Sequence, residues 1–227
     1  MDKEVIRKID VDWKNALPSL KEYARFKYYK IIGPLITGIE LHKVPYLEKY
    51  RPYFVMYSLW GKSLKECWEE PPIYLEVSNS KNLQFFVPYM QHSKYFDECL
   101  ASTLRESYIS FSGDIRLSEI LNGVDKYQRV PIVEAQGSPA RARLLQFVIM
   151  CALYVNDAPT ISRLVAEAVE NKNIWDLSLF KHWFGGYDKW FESIRIQLDN
   201  RDEFMRQIEA NKTDKKLARL NFSELIA

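Results

Sequence analysis

Two textures meet near Pro131–Pro139, and that change constrains this chain more than any single motif. Before it, short β-branched and aromatic runs are cut up by Pro and Gly; after it, apolar residues recur at helical spacing. Strand-length runs joined by short connections favour antiparallel pairing, because a parallel crossover needs about a dozen residues or more. The expected fold class is therefore α+β: an antiparallel sheet of about four to five strands with flanking helices, followed by a mostly helical C-terminal part. The boundary falls at Gly137, giving a sheet-containing part over 1–136 and a helical part over 137–227. The two can equally form one continuous domain.

In the first part, Trp13 to Tyr29 carries Leu17, Leu20, Tyr23 and Tyr28 at helical intervals and reads as an amphipathic helix, with Pro18 disturbing its first turn. Four strand candidates follow. Leu35–Lys43 places Leu35, Thr37, Ile39 and Leu41 on one face and Ile36, Gly38, Glu40 and His42 on the other. Tyr53–Trp60 is apolar on both faces, as a central strand would be. Ile73–Val77 and Leu83–Val87 flank Asn79-Ser80-Lys81-Asn82 and suggest a hairpin. Ser93 is placed to cap a helix to about Arg105, with Phe96, Cys99 and Leu104 inward. Tyr108–Phe111 reads as a short strand or extended segment, and a short helix from Leu117 stops at Asn122-Gly123.

In the second part, Ser138-Pro139 opens a helix that is apolar nearly all round to Tyr154, the pattern of a buried helix. Ile161, Leu164, Val165, Ala168 and Val169 stripe a second. Leu177–Phe184 forms a third, stopped by Gly185-Gly186. Tyr187 to about Asn211 forms a long fourth, with Arg201 interrupting its apolar row. The tail Leu217–Phe222 is amphipathic and suited to docking on the body.

Composition narrows the function classes. The 32 basic and 30 acidic residues are spread evenly on both sides of Gly137. That disfavours a nucleic-acid protein, whose affinity comes mainly from an excess of cations facing phosphates. Cys67, Cys99 and Cys151 are an odd, widely spaced set, which points to free thiols in a reducing, cytoplasmic setting. The N-terminal stretch has no apolar signal core, and the longest apolar run, Phe147–Val155, falls far short of the roughly 20 residues that span a bilayer. No metal or cofactor is expected: His42, His92 and His182 stand apart, no Cys or His pair has ligand spacing, and no Gly-rich phosphate loop or nucleophile elbow is present. Acidic neighbours at Cys67 and Cys99 work against thiolate formation.

Three readings remain. Aromatic residues make up 14% of the chain, and six of the ten residues from His182 to Phe191 carry rings. His182, Trp183 and Tyr187 are the candidate protein-binding residues of a non-enzymatic binding or accessory module, a class that includes the toxin-neutralising immunity proteins of bacteria. The alternative reading of the same residues is a helical hairpin knitted by its rings. An enzyme would need a site assembled from dispersed residues, for which Glu40 and His42 on one strand, with Arg51 or Tyr57 nearby, are candidates. Nucleic-acid binding would use Lys21, Arg25, Lys27 and Lys30, interleaved with aromatics.

Overall fold

The structure is a computed structural model that describes residues 3–227. In chain order its elements are helix α1 (Lys3–Ala16), strands β1 (Lys21–Ala24), β2 (Lys27–Ile32), β3 (Leu35–Lys43) and β4 (Lys49–Ser58), and helix α2 (Leu64–Glu69). Strands β5 (Ile73–Glu76) and β6 (Val87–Pro88), helix α3 (His92–Glu106), strand β7 (Ile115–Arg116), and helices α4 (Leu117–Tyr127) and α5 (Pro131–Glu134) follow. The rear part holds α6 (Ser138–Tyr154), α7 (Ala158–Asn171), α8 (Leu177–Phe184), α9 (Tyr187–Asp199), α10 (Arg201–Lys212) and strands β8 (Asn221–Ser223) and β9 (Leu225–Ile226).

The sheet is an antiparallel meander in the order β1-β2-β3-β4-β5, as the short connections require. Two further short strands join it: β6 pairs with the start of β4, and β8 runs parallel to the end of β2. β3 pairs with β4 over its whole length, from Lys43↔Tyr50 to Leu35↔Ser58, and β4 begins at Lys49, four residues before the apolar run that announces it. One face of the sheet carries Tyr28, Leu35, Ile39, Tyr50 and Phe54 into the core beneath α1 and α3. There Trp13 meets Phe96 edge-on, and Phe54 meets Tyr108 and Phe111.

Several local expectations need correction. Trp13–Tyr29 is not one helix. α1 ends at Ala16, before Pro18, and Lys21–Ile32 forms a hairpin whose turn puts Phe26 at φ +66°. Proline disfavours helical backbone at the residue before it, and the Tyr- and Phe-rich stretch beyond suits a sheet. The hairpin expected of Ile73–Val77 with Leu83–Val87 shrinks to an isolated bridge, Ser78↔Gln84, and β6 pairs instead with β4. Tyr108–Phe111 is irregular rather than strand. Gly123 does not stop α4 but lies inside it, where the Cβ it lacks would sit 2.9 Å from Cβ of Tyr108. Ser93 lies within α3 rather than capping it, and Leu104 is exposed.

In the rear part α6 is buried on nearly every side, packed by α4, α7, α8 and α10. Ser138 does not cap it; its hydroxyl accepts instead from Asp176 N–H, ahead of α8. The long fourth helix breaks at Asn200 into α9 and α10. The break lets Arg201 donate to the carbonyls of Leu153 and Tyr154 at 2.9 and 2.8 Å, capping the C-terminus of α6 with a cation where the helix end is negative. The tail docks on the body: Leu217–Arg219 forms a 3-10 turn with Leu217 buried, then β8 lies beside β2 and β9 beside β7, with Leu225 buried. One contiguous apolar cluster runs from Ile6 to Leu225 and draws on both parts of the chain.

Candidate functional site

Strand register decides which polar side chains meet. Lys27, Glu40, Tyr53 and Glu76 stand in one row across β2, β3, β4 and β5, on the face turned away from α1 and α3. Next to this row, Tyr29 and Tyr74 flank Gly38 and Val55, and His42 pairs with Arg51. The dispersed residues Glu40, His42, Arg51 and Tyr57 thus lie on one surface.

Glu40 is its centre, with only 1% of its surface exposed. One carboxylate oxygen accepts from the hydroxyls of Tyr29 and Tyr57; the other lies 2.7 Å from His42 Nε2 and 3.1 Å from Lys27 Nζ. Burial alone would push this carboxyl up, but the hydrogen bonds from His42, Tyr29 and Tyr57 and the Lys27 charge outweigh it and hold it down at about 2. Tyr74 lies against the His42 ring, and Tyr53 and Arg51 both donate to Glu76. Trp68 of α2 covers the Tyr29 end, stacked on Tyr29 and packed on Tyr23 and Tyr57.

The donors around Glu40 hold it as an anion. Both oxygens of Glu40 are fully occupied by donors. Burial, and then the Glu40 charge, raise the Tyr29, Tyr57 and Tyr74 phenols, Tyr74 to about 12, so none is primed as a base. The chemistry suits a polar seam tying four strands together.

A second buried chain crosses the other face. Trp13 Nε1 donates to the Tyr50 hydroxyl, which lies 2.9 Å from His92 Nδ1, while His92 Nε2 lies 3.0 Å from an Asp12 oxygen. Asp12 is a carboxylate and can only accept, so in the neutral imidazole the proton sits on Nε2 and Nδ1 accepts from the Tyr50 hydroxyl. Burial pushes the His92 imidazole down, against the opposing pull of Asp12.

The two networks give a stability profile with a definite sign. A lowered folded pKa means that the unfolded chain binds the proton more readily, so acid favours unfolding. His92 contributes stability above its ordinary 6.5 that fades as pH falls below it, and Glu40 adds a second loss between its ordinary 4.5 and about 2. Urea titrations from pH 7.5 downward are expected to show the midpoint falling below about 6.5 and falling further below about 4.5. His92→Asn should remove the first fall and keep the second. An unchanged midpoint between pH 7 and 5 would contradict this assignment for His92.

The remaining candidates divide. All three cysteines are buried, and burial raises each thiol. Among the described residues, no three His, Cys, Asp or Glu side chains converge so as to hold a metal ion, and no helix is long and apolar enough to cross a membrane. Lys21, Arg25, Lys27 and Lys30 do not form one stripe. Lys30 is buried on the face opposite Lys27 and donates to the carbonyls of Phe111 and Gly113; Lys27 turns to Glu40, and Arg25 lies over Phe26.

His182, Trp183 and Tyr187 separate as well. Tyr187 is buried, its hydroxyl donating to Ala168 O at 2.7 Å, and it packs with Phe180, Trp190 and Phe191 in the knitted core of α8 and α9. His182 is exposed beside Trp183, which is 54% exposed. Leu179, one turn earlier on the same helix, is also exposed.

Trp183 borders a cavity of about 470 Å³ between the Trp60–Pro72 segment, which contains α2, and the outer side of α6. Glu66, Glu69 and Glu70 line one wall; Arg143 and Phe147 line the other. The Arg143 guanidinium lies 5.1 Å over the Trp183 ring and 5.7 Å over Phe184, and reaches Glu70 at 3.5 Å. Its Nε is buried without an acceptor, so the two rings and the Glu70 contact place it. Nothing local in the sequence joins Glu69-Glu70 to Arg143 or Trp183, and only packing α8 beside α6 does so. No family model, curated protein or solved structure matches this chain.

Proposed function

We propose that the protein is a non-enzymatic binding module that docks a protein partner across the exposed face of α8 and the adjoining groove, the mode of action of accessory and immunity-type proteins. The carrying observation is Trp183. It is a large aromatic side chain, 54% exposed, held from behind by the Arg143 guanidinium, at the mouth of a groove of ligand-binding size. A ring fixed in advance loses little entropy on binding, and exposed tryptophans of this kind dominate interface energetics. Leu177 and Leu179 extend the apolar surface along α8.

Affinity purification of the tagged protein from its own cells, followed by mass spectrometry, supplies the partner and the test. Trp183→Ala is expected to weaken that complex by about 2 kcal/mol or more, roughly 30-fold in Kd, without shifting the unfolding midpoint. Tyr187→Phe removes a buried hydroxyl and should cost about 1 kcal/mol of stability while leaving the complex intact. Retention of every partner by Trp183→Ala would overturn the reading.

A further inference from the structure

The groove beside Trp183 also carries information about what it accepts, and the inference drawn from it rests on the docking reading above. Its lining is lopsided in charge: Glu66, Glu69 and Glu70 face a single cation, Arg143. The carboxylates are weakly engaged from within. Glu69 reaches Lys65 only at 3.8 Å, with both side chains mostly in water, and Glu70 reaches Arg143 only at 3.5 Å. Glu66 is the better satisfied, accepting from Lys62 N–H at 3.0 Å. Two exposed acids therefore stand beside an aromatic wall made by Trp60, Phe147 and Trp183.

The groove already displays the chemistry that it accommodates. Arg143 places its guanidinium 5.1 Å over the Trp183 ring with the Glu70 carboxylate 3.5 Å away, which is the company a cation keeps when ring faces and acids share a site. The other ring face of Trp183 and the free edges of Glu69 and Glu70 offer the same combination to a second chain. An anionic partner would meet three carboxylates, and a purely apolar one would strip water from Glu69 and Glu70 while leaving them only their long contacts to Lys65 and Arg143.

We infer that the groove between α2 and α6 takes a partner segment in which a lysine or arginine stands next to an apolar side chain, the cation meeting Glu69 and Glu70 and the apolar group covering Trp183. Both acids are exposed, and Glu69→Lys alone spares the Glu70–Arg143 contact that supports Trp183, so this single variant, with the unfolding midpoint of the double variant as a check, separates the charge of the groove from the placement of the ring.

The test uses the full chain and three fluorescent, acetylated and amidated decapeptides, of alternating Lys-Leu, Ser-Leu and Glu-Leu. Anisotropy at low salt is expected to show binding of the Lys-Leu peptide. Binding should weaken with Glu69→Lys alone, should weaken at least about tenfold with Glu69→Lys/Glu70→Lys and with Trp183→Ala, and should decline as salt rises. Equal binding of the Ser-Leu or Glu-Leu peptide, or no effect of the charge reversal, would overturn the inference. The purified natural partner separates the two claims. If Trp183→Ala loses it while Glu69→Lys/Glu70→Lys keeps it, docking at α8 stands and the cation requirement falls; if both variants keep it, both fall.

Discussion

Alanine in place of Gly38 is expected to destabilise the protein by about 3 kcal/mol or more, and to abolish soluble expression if the parent stability lies at the low end of the usual range. Gly38 sits in the middle of β3, between Tyr29 of β2 and Val55 of β4. A Cβ at this position would lie 1.9 Å from the carbonyl oxygen of Tyr28 and 2.9 Å from Tyr29 Cα. Those atoms are main chain, so no rotamer change relieves the overlap, and β2 or β3 must move bodily. Either movement carries Tyr29 away from Glu40 and loosens the seam as well as the ladder. Urea denaturation followed by tryptophan fluorescence measures the loss directly. Gly113→Ala is the fitting contrast: its φ of +70° makes alanine strained there, but nothing lies within 4 Å of the added methyl, so the cost should stay near 1 kcal/mol. Equal stabilities of Gly38→Ala and the parent would show that β2 and β3 do not approach so closely at Gly38.

Glu40→Ala is expected to cost about 3–5 kcal/mol at neutral pH, comparable to breaking a buried ion pair from one side. The substitution removes the acceptor of two buried phenols and the anion facing Lys27 and His42, and it leaves a void where the carboxylate stood. Tyr57→Phe takes away one donor from the same site and should cost only about 1 kcal/mol. In the double variant the two losses should fall short of additive, because the Tyr57 hydroxyl has no partner left once Glu40 is gone. Strict additivity would mean that the two side chains do not interact. A cost near zero for Glu40→Ala would mean that the seam is not a stabilising element of the sheet.

The candidate site was legible in the sequence only where it depended on strand periodicity. Alternation along Leu35–Lys43 placed Glu40 and His42 on the face opposite Leu35 and Ile39, and that assignment carries directly into the structure, because side-chain direction in a strand follows from parity alone. Arg51 and Tyr57 reach the same face because β4 keeps unbroken register with β3. The α8–α9 turn was harder. Its rings recur at helical spacing, but spacing does not say which neighbour a helix leans on. Tyr187 turns into the core against Ala168, while Trp183 turns out over Arg143. Lys30 is the sharpest case. It reads as one of four surface cations, yet it lies buried, satisfied by two carbonyls from a loop some eighty residues away.

By itself the sequence determined the class of the fold, the antiparallel sense of the sheet and the buried character of α6, since these follow from short-range periodicity, short connections and the apolar count of a single segment. Only the tertiary structure decided how the pieces close. It turned the C-terminal tail into strands beside β2 and β7, broke the last long helix so that Arg201 could cap α6, and brought Glu69 and Glu70 to Arg143 and Trp183. Such contacts join residues that are far apart in the chain, and their free energy comes from groups that no local window contains together.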